Sequence, residues 1–317
     1  MLVQANERDS SMRKFLVKRM ASWQLATKIG GALCALIILQ ACSDLGTVRD
    51  FSNQSAALAA APQTLDYWSG IGERSKRFDD ILSRLPPKDG VKAKGPVAPD
   101  STLTAPQLAA VKSLHALLAA YMTKLGALAD DNLVDVSKQV DGLVTNLNAL
   151  PFADTEEKEK ANAAYGTMLK LVKLPLNAYR HYKIKQLITE NDDSVQTLTD
   201  LLATSTGSVS IFVTSEKNSV LTWYDNITRA YPIPSNVSSA FQWKKDKDSV
   251  AAIYDDKAEA IASYETALRK VAEMHHKMAT ELSSFDTDSF KRLVAELKSA
   301  KKEISLAREE YNAAFKK

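Results

Sequence analysis

One short motif, Glu273-x-x-His276, has the spacing of a metal site in a helical bundle. A glutamate three residues before a histidine places both side chains on one helix face, as di-iron sites require. Such a site also needs a second copy and two more glutamates, and neither His115 nor His181 follows a glutamate at that spacing. We therefore predict no metal site, and we interpret His275 as a polar core residue that sets helix register and His276 as solvent-facing.

Adjacent aspartates are the second candidate for chemistry. Neighbouring residues of a helix point about 100° apart, so such pairs do not converge as an acid and a base would. The sequence also lacks the phosphate-loop, dinucleotide-binding, zinc-protease and nucleophile-elbow motifs. We predict solvated faces or helix caps, no catalytic residue, no cofactor and no small-molecule substrate. The pairs are Asp79-Asp80, Asp130-Asp131, Asp192-Asp193 and Asp255-Asp256.

The third candidate is an aromatic segment that follows Trp223 and Tyr224. Pro232 and Pro234 predict a corner between two helices there. An aromatic tip with lysines could stack on a glycan or lie at a membrane interface, whereas the alternative is that the rings plug one end of a bundle. We predict a partner-binding site in which Trp243 matters most for capture and little for melting. Its residues are Tyr231, Phe241, Trp243, Lys244 and Lys245.

Two apolar heptad patterns near the C-terminus indicate the elements that would position these residues. One extends over residues 250–285 and the other over 288–317, with a short Asp- and Ser-rich connection between them. A short connection between two apolar-striped helices predicts an antiparallel, coiled-coil-like hairpin. The seam residues are Tyr254, Ile261, Leu268, His275 and Leu282, then Tyr264, Val271, Met278 and Phe285, then Phe290, Leu297, Ile304 and Tyr311, and finally Leu293, Ala300, Ala307 and Ala314.

The middle of the chain also reads as helix, with predicted breaks. Thr104 to Gln107 form a capping box, and the stripe that follows slips by one residue before it resumes over 133–150. Asp154 begins the next helix. We expect a kink at Pro175, a stop and new cap over 191–194, and distorted helix over 204–215, where a short strand is the alternative.

These patterns together predict an all-α fold. We expect an elongated antiparallel bundle of five or six long helices in one domain, residues 54–317, with a mobile basic loop over 86–101. The chain has only 11 Gly and 10 Pro among 317 residues, which argues against turn-rich sheets and barrels.

The formal charge of +3 comes largely from the N-terminal segment. Residues 1–42 hold six basic and two acidic side chains, which leaves 35 basic and 36 acidic residues for the body. A body of balanced charge has no bulk attraction for nucleic acid, so no nucleic-acid partner is predicted.

The N-terminal segment has the pattern of a secretion signal. Lys28 precedes the apolar run Ile29–Leu39, which is too short to span a bilayer. Leu39-Gln40-Ala41-Cys42 then resembles the lipobox of bacterial lipoproteins, although Gln40 departs from the usual residue type. The resemblance implies removal of residues 1–41 and acylation of Cys42, with palmitate among the acyl groups. An ordinary cleaved signal or a short anchor is the alternative.

The lipobox resemblance also implies a location and a membrane partner. Ser43 stands where an inner-membrane retention signal would have Asp, which favours the outer membrane, while Asp44 one place later weakens that reading. Residues 42–53 are polar and are expected to form a lipidated tether. The protein would then lie in the cell envelope, facing the periplasm or at the outer membrane.

The C-terminus offers one further resemblance. Phe315-Lys316-Lys317 after a heptad helix is similar to the end of the major murein lipoprotein, which implies linkage to peptidoglycan through Lys317. Lysines that complement a helix C-terminus are the simpler interpretation.

Three functional classes follow from the sequence. The first is a non-enzymatic, lipid-anchored helical scaffold that binds an envelope protein or peptidoglycan. The second is a helical, membrane-active protein of pore-forming type that uses residues 198–213, a segment with Asp200 and many hydroxyls. The third is a hydrolase or metal enzyme, which the missing motifs disfavour.

Overall fold

The computed structural model describes residues 45–60, 63–83, 104–130, 135–174, 180–230, 237–281 and 287–316. These residues form five long helices, three shorter ones and one 3₁₀ turn at Ser137–Val140, without a strand, so the predicted all-α bundle is confirmed. The helices are α1 (45–59), α2 (Gln63–Ser69), α3 (Ile71–Ser83), α4 (Ala105–Ala129), α5 (Thr155–Lys173), α6 (Arg180–Ala230), α7 (Val237–Glu281) and α8 (Thr287–Phe315).

The chain divides into two compact units, Met1–Thr47 and Val48–Lys317, and only residues 45–47 of the first are described. The expectation of a free polar tether up to Asn53 needs correction, because residues 48–53 are helical and belong to the second unit. Val48, Phe51 and Ser55 follow helical spacing and are buried in that unit.

Helix α4 is the central helix of this unit. From Leu117 to Ala129, every residue except Ala119 and Thr123 is buried, so the helix is covered around its circumference. Its start follows the sequence prediction, since Thr104 and Gln107 form a reciprocal capping box. A helix that is apolar on all sides is typical of the middle of a bundle.

Gly126 allows α1 to lie close against α4. A Cβ atom at this position would come within 2.6 Å of Asn53 Oδ1 and 3.5 Å of the Arg49 carbonyl oxygen. At the other end of α1, the Ala59 carbonyl lies 3.0 Å from His115 Nδ1. The earlier residues of α1 thus meet Gly126 late in α4, and Ala59 at the end of α1 meets His115 earlier in α4. The two helices are therefore antiparallel.

The predicted helix over 133–150 is wrong. Within the described residues 135–150, only Ser137–Val140 is helical, and Gly142 has a φ of 77° that interrupts a regular helix. The backbone amides of Val144 and Leu147 bond instead to the side chains of Ser113 and Asn162 on the neighbouring helices. The stripe identified the core correctly, since Val136, Val140, Leu147 and Leu150 are buried.

Helix α6 is continuous through the stop that was predicted at residues 191–194. The Asn191 side chain donates to the Leu187 carbonyl within the same helix instead of ending it. The segment 204–215 is also continuous helix, and the hydroxyls of Ser205, Thr206 and Thr214 bond within it to carbonyl oxygens four residues earlier. Pro175 lies outside the described residues, and α5 ends before it at Lys173.

Helices α6 and α7 form a long antiparallel pair, and α8 packs against α7 as the predicted hairpin. Arg269 pairs with Asp200, and Lys247 pairs with Asp225, so the pairing extends over most of both helices. At 51 residues, α6 is roughly 75 Å long. Of the seam residues that the structure describes, the members on α7 and α8 are buried: Tyr254, Ile261, Tyr264, Leu268, Val271, His275, Met278, Leu293, Leu297, Ala300, Ile304, Ala307, Tyr311 and Ala314.

The segment 198–213 contributes most of its apolar side chains to this core, since Leu198, Leu202, Val209, Phe212 and Val213 are buried, whereas Ile211 is 74% exposed. No helix in the described part of the chain has both the length and the apolar character needed to cross a membrane.

Candidate functional site

The end of the α6–α7 pair carries a group of packed rings, which we call the aromatic end cluster: Phe78, Trp223, Tyr224 and Trp243. The ring centroids of Tyr224 and Trp243 are 4.9 Å apart, and Phe78 meets Trp223 edge-on at 5.1 Å. Rings at these separations and angles attract each other beyond the effect of burial alone. The cluster therefore joins α3, α6 and α7 at one end of the pair.

Trp243 belongs to this cluster and is half-buried, while its neighbours on α7 are exposed. Lys244 pairs with Asp248 one turn later, and Lys245 is exposed. The structure thus separates the predicted site into a packed tryptophan and exposed residues around it. Tyr231, Cys42, Lys317 and the loop 86–101 lie outside the described residues.

Two apolar side chains on the first turns of α7 face solvent. Val237 is 85% exposed and Phe241 is 69% exposed, and their spacing of four residues places them on one face of the helix. We call Val237 and Phe241 the exposed apolar pair. Scattered single apolar residues are ordinary on a surface, but here an exposed aromatic side chain lies about one helical turn from a second exposed apolar side chain and from the exposed Lys244 and Lys245.

A buried polar network that the sequence did not predict joins α4, α6 and α7. Asp192 on α6 accepts a hydrogen bond from His275 Nδ1 at 2.9 Å, and the opposite ring atom, His275 Nε2, accepts from the Tyr121 hydroxyl at 2.7 Å. His276 Nδ1 donates to the second oxygen of Asp192. His275 is fully buried and His276 is exposed, which confirms the interpretation of this histidine pair.

The protonation states in this network follow from its surroundings. Burial lowers the pKa of His275, although the bond to Asp192 acts in the opposite direction. Burial opposes the ionisation of Asp192, but the hydrogen bonds from His275 and His276 outweigh it and lower the pKa of this carboxyl to about 2. An ionised Asp192 and a neutral His275 fix the ring orientation, so the network holds the three helices in register.

The hypothetical glutamate–histidine metal pair is not assembled. Glu273 forms ion pairs with Lys270 and Lys277, whereas His276 faces Asp192. In the described ranges, no group of three or more His, Cys, Asp or Glu side chains is arranged to hold a metal ion.

A second tyrosine–histidine pair also joins α4 to α7, but in this pair the histidine belongs to α4 and the tyrosine to α7. The histidine is His115 and the tyrosine is Tyr264, with the hydroxyl 3.3 Å from His115 Nδ1. The Tyr264 hydroxyl donates to the Leu58 carbonyl at the end of α1. Burial lowers the pKa of His115 to about 4, against the bond to the Ala59 carbonyl. The buried histidines therefore tie α4 to α7 while remaining neutral.

Lys124 is a buried cation that the sequence reasoning missed. Its ammonium group donates to the carbonyl oxygens of Leu171, Val172 and Leu174, where α5 ends. The carbonyls at a helix C-terminus have few donors of their own, and Leu171 accepts in addition only from the Leu174 backbone amide, so Lys124 supplies donors to this helix end from α4. Burial lowers the pKa of Lys124 to about 8. The sequence signal for this contact was a lysine within a mostly apolar helix. The signal for the histidine network was Asp192 on α6.

The chain matches no protein-family model, no curated protein and no solved structure.

Proposed function

We propose that this protein is a non-enzymatic, lipid-anchored scaffold of the cell envelope that captures a partner with the exposed end of its α6–α7 pair. The observation that carries the proposal is the exposed apolar pair beside the aromatic end cluster. The cluster packs this part of α7 against α6, so little conformational entropy of α7 would be lost when a partner covers Val237 and Phe241. The anchoring part rests on the lipobox resemblance at Cys42.

The positions of these features along the fold agree with the proposal. The Leu58 carbonyl near the end of α1 is bonded to Tyr264 on α7. Phe241 lies twenty-three residues before Tyr264 on the same helix, which corresponds to about 35 Å. The exposed apolar pair therefore lies far along α7 from its contact with α1, the first described helix after Cys42 in the sequence.

Cys42→Ser tests the anchor. We expect this variant to retain residues 1–41 and to leave the membrane fraction, because the acylated thiol and the new amino terminus both disappear. Metabolic labelling with a radioactive fatty acid and the apparent mass of the protein measure both effects. Cys34→Ser is the matched control and should be processed normally. Fatty-acid label on the Cys42→Ser protein would contradict the anchor.

Phe241→Ala tests the binding end. We expect the wild-type chain to give a crosslink to a partner in cells and this variant to lose it. The free energy of unfolding should stay unchanged within about 0.5 kcal/mol, since the side chain is exposed. Trp243→Ala should instead lower the free energy of unfolding by about 1–2 kcal/mol, because Trp243 packs on two rings.

Ile253→Ala is the control for the loss of an exposed apolar side chain elsewhere on α7. If Phe241→Ala and Ile253→Ala retain the same crosslinked product, the end of the α6–α7 pair is not the binding surface.

A further inference from the structure

An open groove of about 750 Å³ lies between α7 and α8. Its floor is built from small side chains, and the largest apolar group in it is Leu306, which is 57% exposed. The groove extends from Glu259 to Glu273 along α7, which is about 21 Å or four helical turns. The floor residues are Ala262, Ser263, Thr266, Ala267 and Ala307.

The groove faces away from α1. Tyr264 and Lys301 contact α1 through the Leu58 carbonyl and the Asp50 carboxylate. Each lies two residues from a groove residue, and residues two apart on a helix point to nearly opposite sides. The hairpin therefore has one side covered by the bundle and one side open.

The charges around the groove are unbalanced. Its two basic residues are already neutralised, since Arg269 pairs with Asp200 and Lys270 pairs with Glu273. Three carboxylates remain at the rim: Glu259, Glu303 and Glu310. Within the part of the chain that the structure describes, none of these three forms an ion pair, and Glu303 accepts only a hydrogen bond from the Ser299 hydroxyl. The rim therefore carries negative charge around a floor of small side chains, three alanines with a serine and a threonine.

We propose that this groove binds a basic amphipathic helix of a partner protein. The apolar face of that helix would pack against Leu306 and the alanine floor, and its lysine or arginine side chains would pair with the three rim glutamates. The small floor residues let a helix backbone approach closely. The groove is a second surface, distinct from the exposed apolar pair, and the inference does not depend on the lipid anchor.

The charge of the groove selects this occupant over two others. A second copy of the chain that docked through the same face would bring glutamates against glutamates, which is repulsive in a self-complementary interface. An anionic lipid surface would be repelled for the same reason. A basic helix gains both the pairing of charges and the burial of Leu306.

The test uses the full chain and two synthetic helical peptides of equal length. Both carry alanine and leucine on one face, one has lysines along the flanks and the other has glutamates. Fluorescence anisotropy should show binding of the lysine peptide only, weakened by added salt. Glu303→Lys combined with Glu310→Lys should weaken that binding at least about tenfold, and Leu306→Asp should do so as well.

Glu309→Lys is the matched control, because Glu309 is exposed next to Glu310 on α8 but does not line the groove. It should change the affinity less than about twofold. Phe241→Ala should leave peptide binding unchanged, which separates this inference from the proposed function. All variants change exposed residues, and circular dichroism would verify that they remain helical.

Three outcomes would overturn the proposal. The lysine peptide does not bind, the glutamate peptide binds equally well, or Glu309→Lys weakens binding as much as the groove variants do. Sedimentation of the wild-type chain would give a further contrary outcome. A dimer that Leu306→Asp dissociates would assign the groove to a second copy instead.

Discussion

Replacing Glu216 by leucine is expected to lower the free energy of unfolding by about 3 kcal/mol, because it leaves a partly buried cation without its counter-ion. Glu216 on α6 accepts from Arg74 Nε at 2.8 Å and from the Tyr67 hydroxyl at 2.6 Å. Glu216 is only 5% exposed, and it joins α6 to Tyr67 on α2 and Arg74 on α3. Chemical denaturation of the variant measures the loss.

The double variant Glu216→Leu with Arg74→Met decides whether charge is the cause. Replacing both partners of a buried pair by apolar groups is often neutral, whereas removing one is costly. The double variant should therefore recover at least half of the lost stability, although Tyr67 still lacks its acceptor. Glu190→Leu, an exposed glutamate of the same helix, should cost less than about 0.5 kcal/mol. A double variant no more stable than Glu216→Leu would show that the loss comes from packing.

The second large effect is acid destabilisation through His115. The pKa of this buried imidazole is about 4 in the folded chain, against an ordinary value of 6.5. The unfolded chain therefore binds a proton at a pH where the folded chain does not, and the free energy of unfolding falls as the pH falls from 6.5 toward 4. The full loss is on the order of 3 kcal/mol for this group.

His275 adds to this slope in the same direction, because burial lowers its pKa as well. Asp192 affects stability at lower pH. Its pKa is about 2 in the folded chain, so the stability that its ionised form contributes is lost as the pH falls below about 4. Urea denaturation at several pH values between 7 and 4 measures the slope. His115→Leu should be less stable at pH 7 but should have a shallower slope, and equal slopes for the variant and the wild type would contradict the assignment.

Local sequence signals predicted the helix starts and the hairpin well. The capping box at Thr104 and the cap at Asp154 depend on residues within four positions of each other, so they can be read from one short segment. The heptads of α7 and α8 are likewise a repeat along one helix. The burial of Val136 and Val140 could also be predicted from the sequence, because apolar side chains favour the core whatever the backbone conformation.

The failures lie where distant contacts decide. The segment 191–194 resembles a helix stop, but the Asp192 side chain is used by histidines more than eighty residues away on α7. The segment after Asp135 resembles a helix, but side chains of α4 and α5 supply its hydrogen-bond partners. The sequence predicted the site only in part for the same reason, since the packing of Trp243 depends on Trp223 and Tyr224 from α6.

The central position of α4 makes part of its covering depend on a helix that is made much later in the chain. Tyr121 meets His275, which is 154 residues later in the chain. At a synthesis rate of about 5–20 residues per second, α4 waits roughly 8–30 s before α7 exists to cover it. During that interval α5 and α6 can already pack against α4, so the face that carries His115 and Tyr121 is the part of the helix that stays uncovered until α7 has been made.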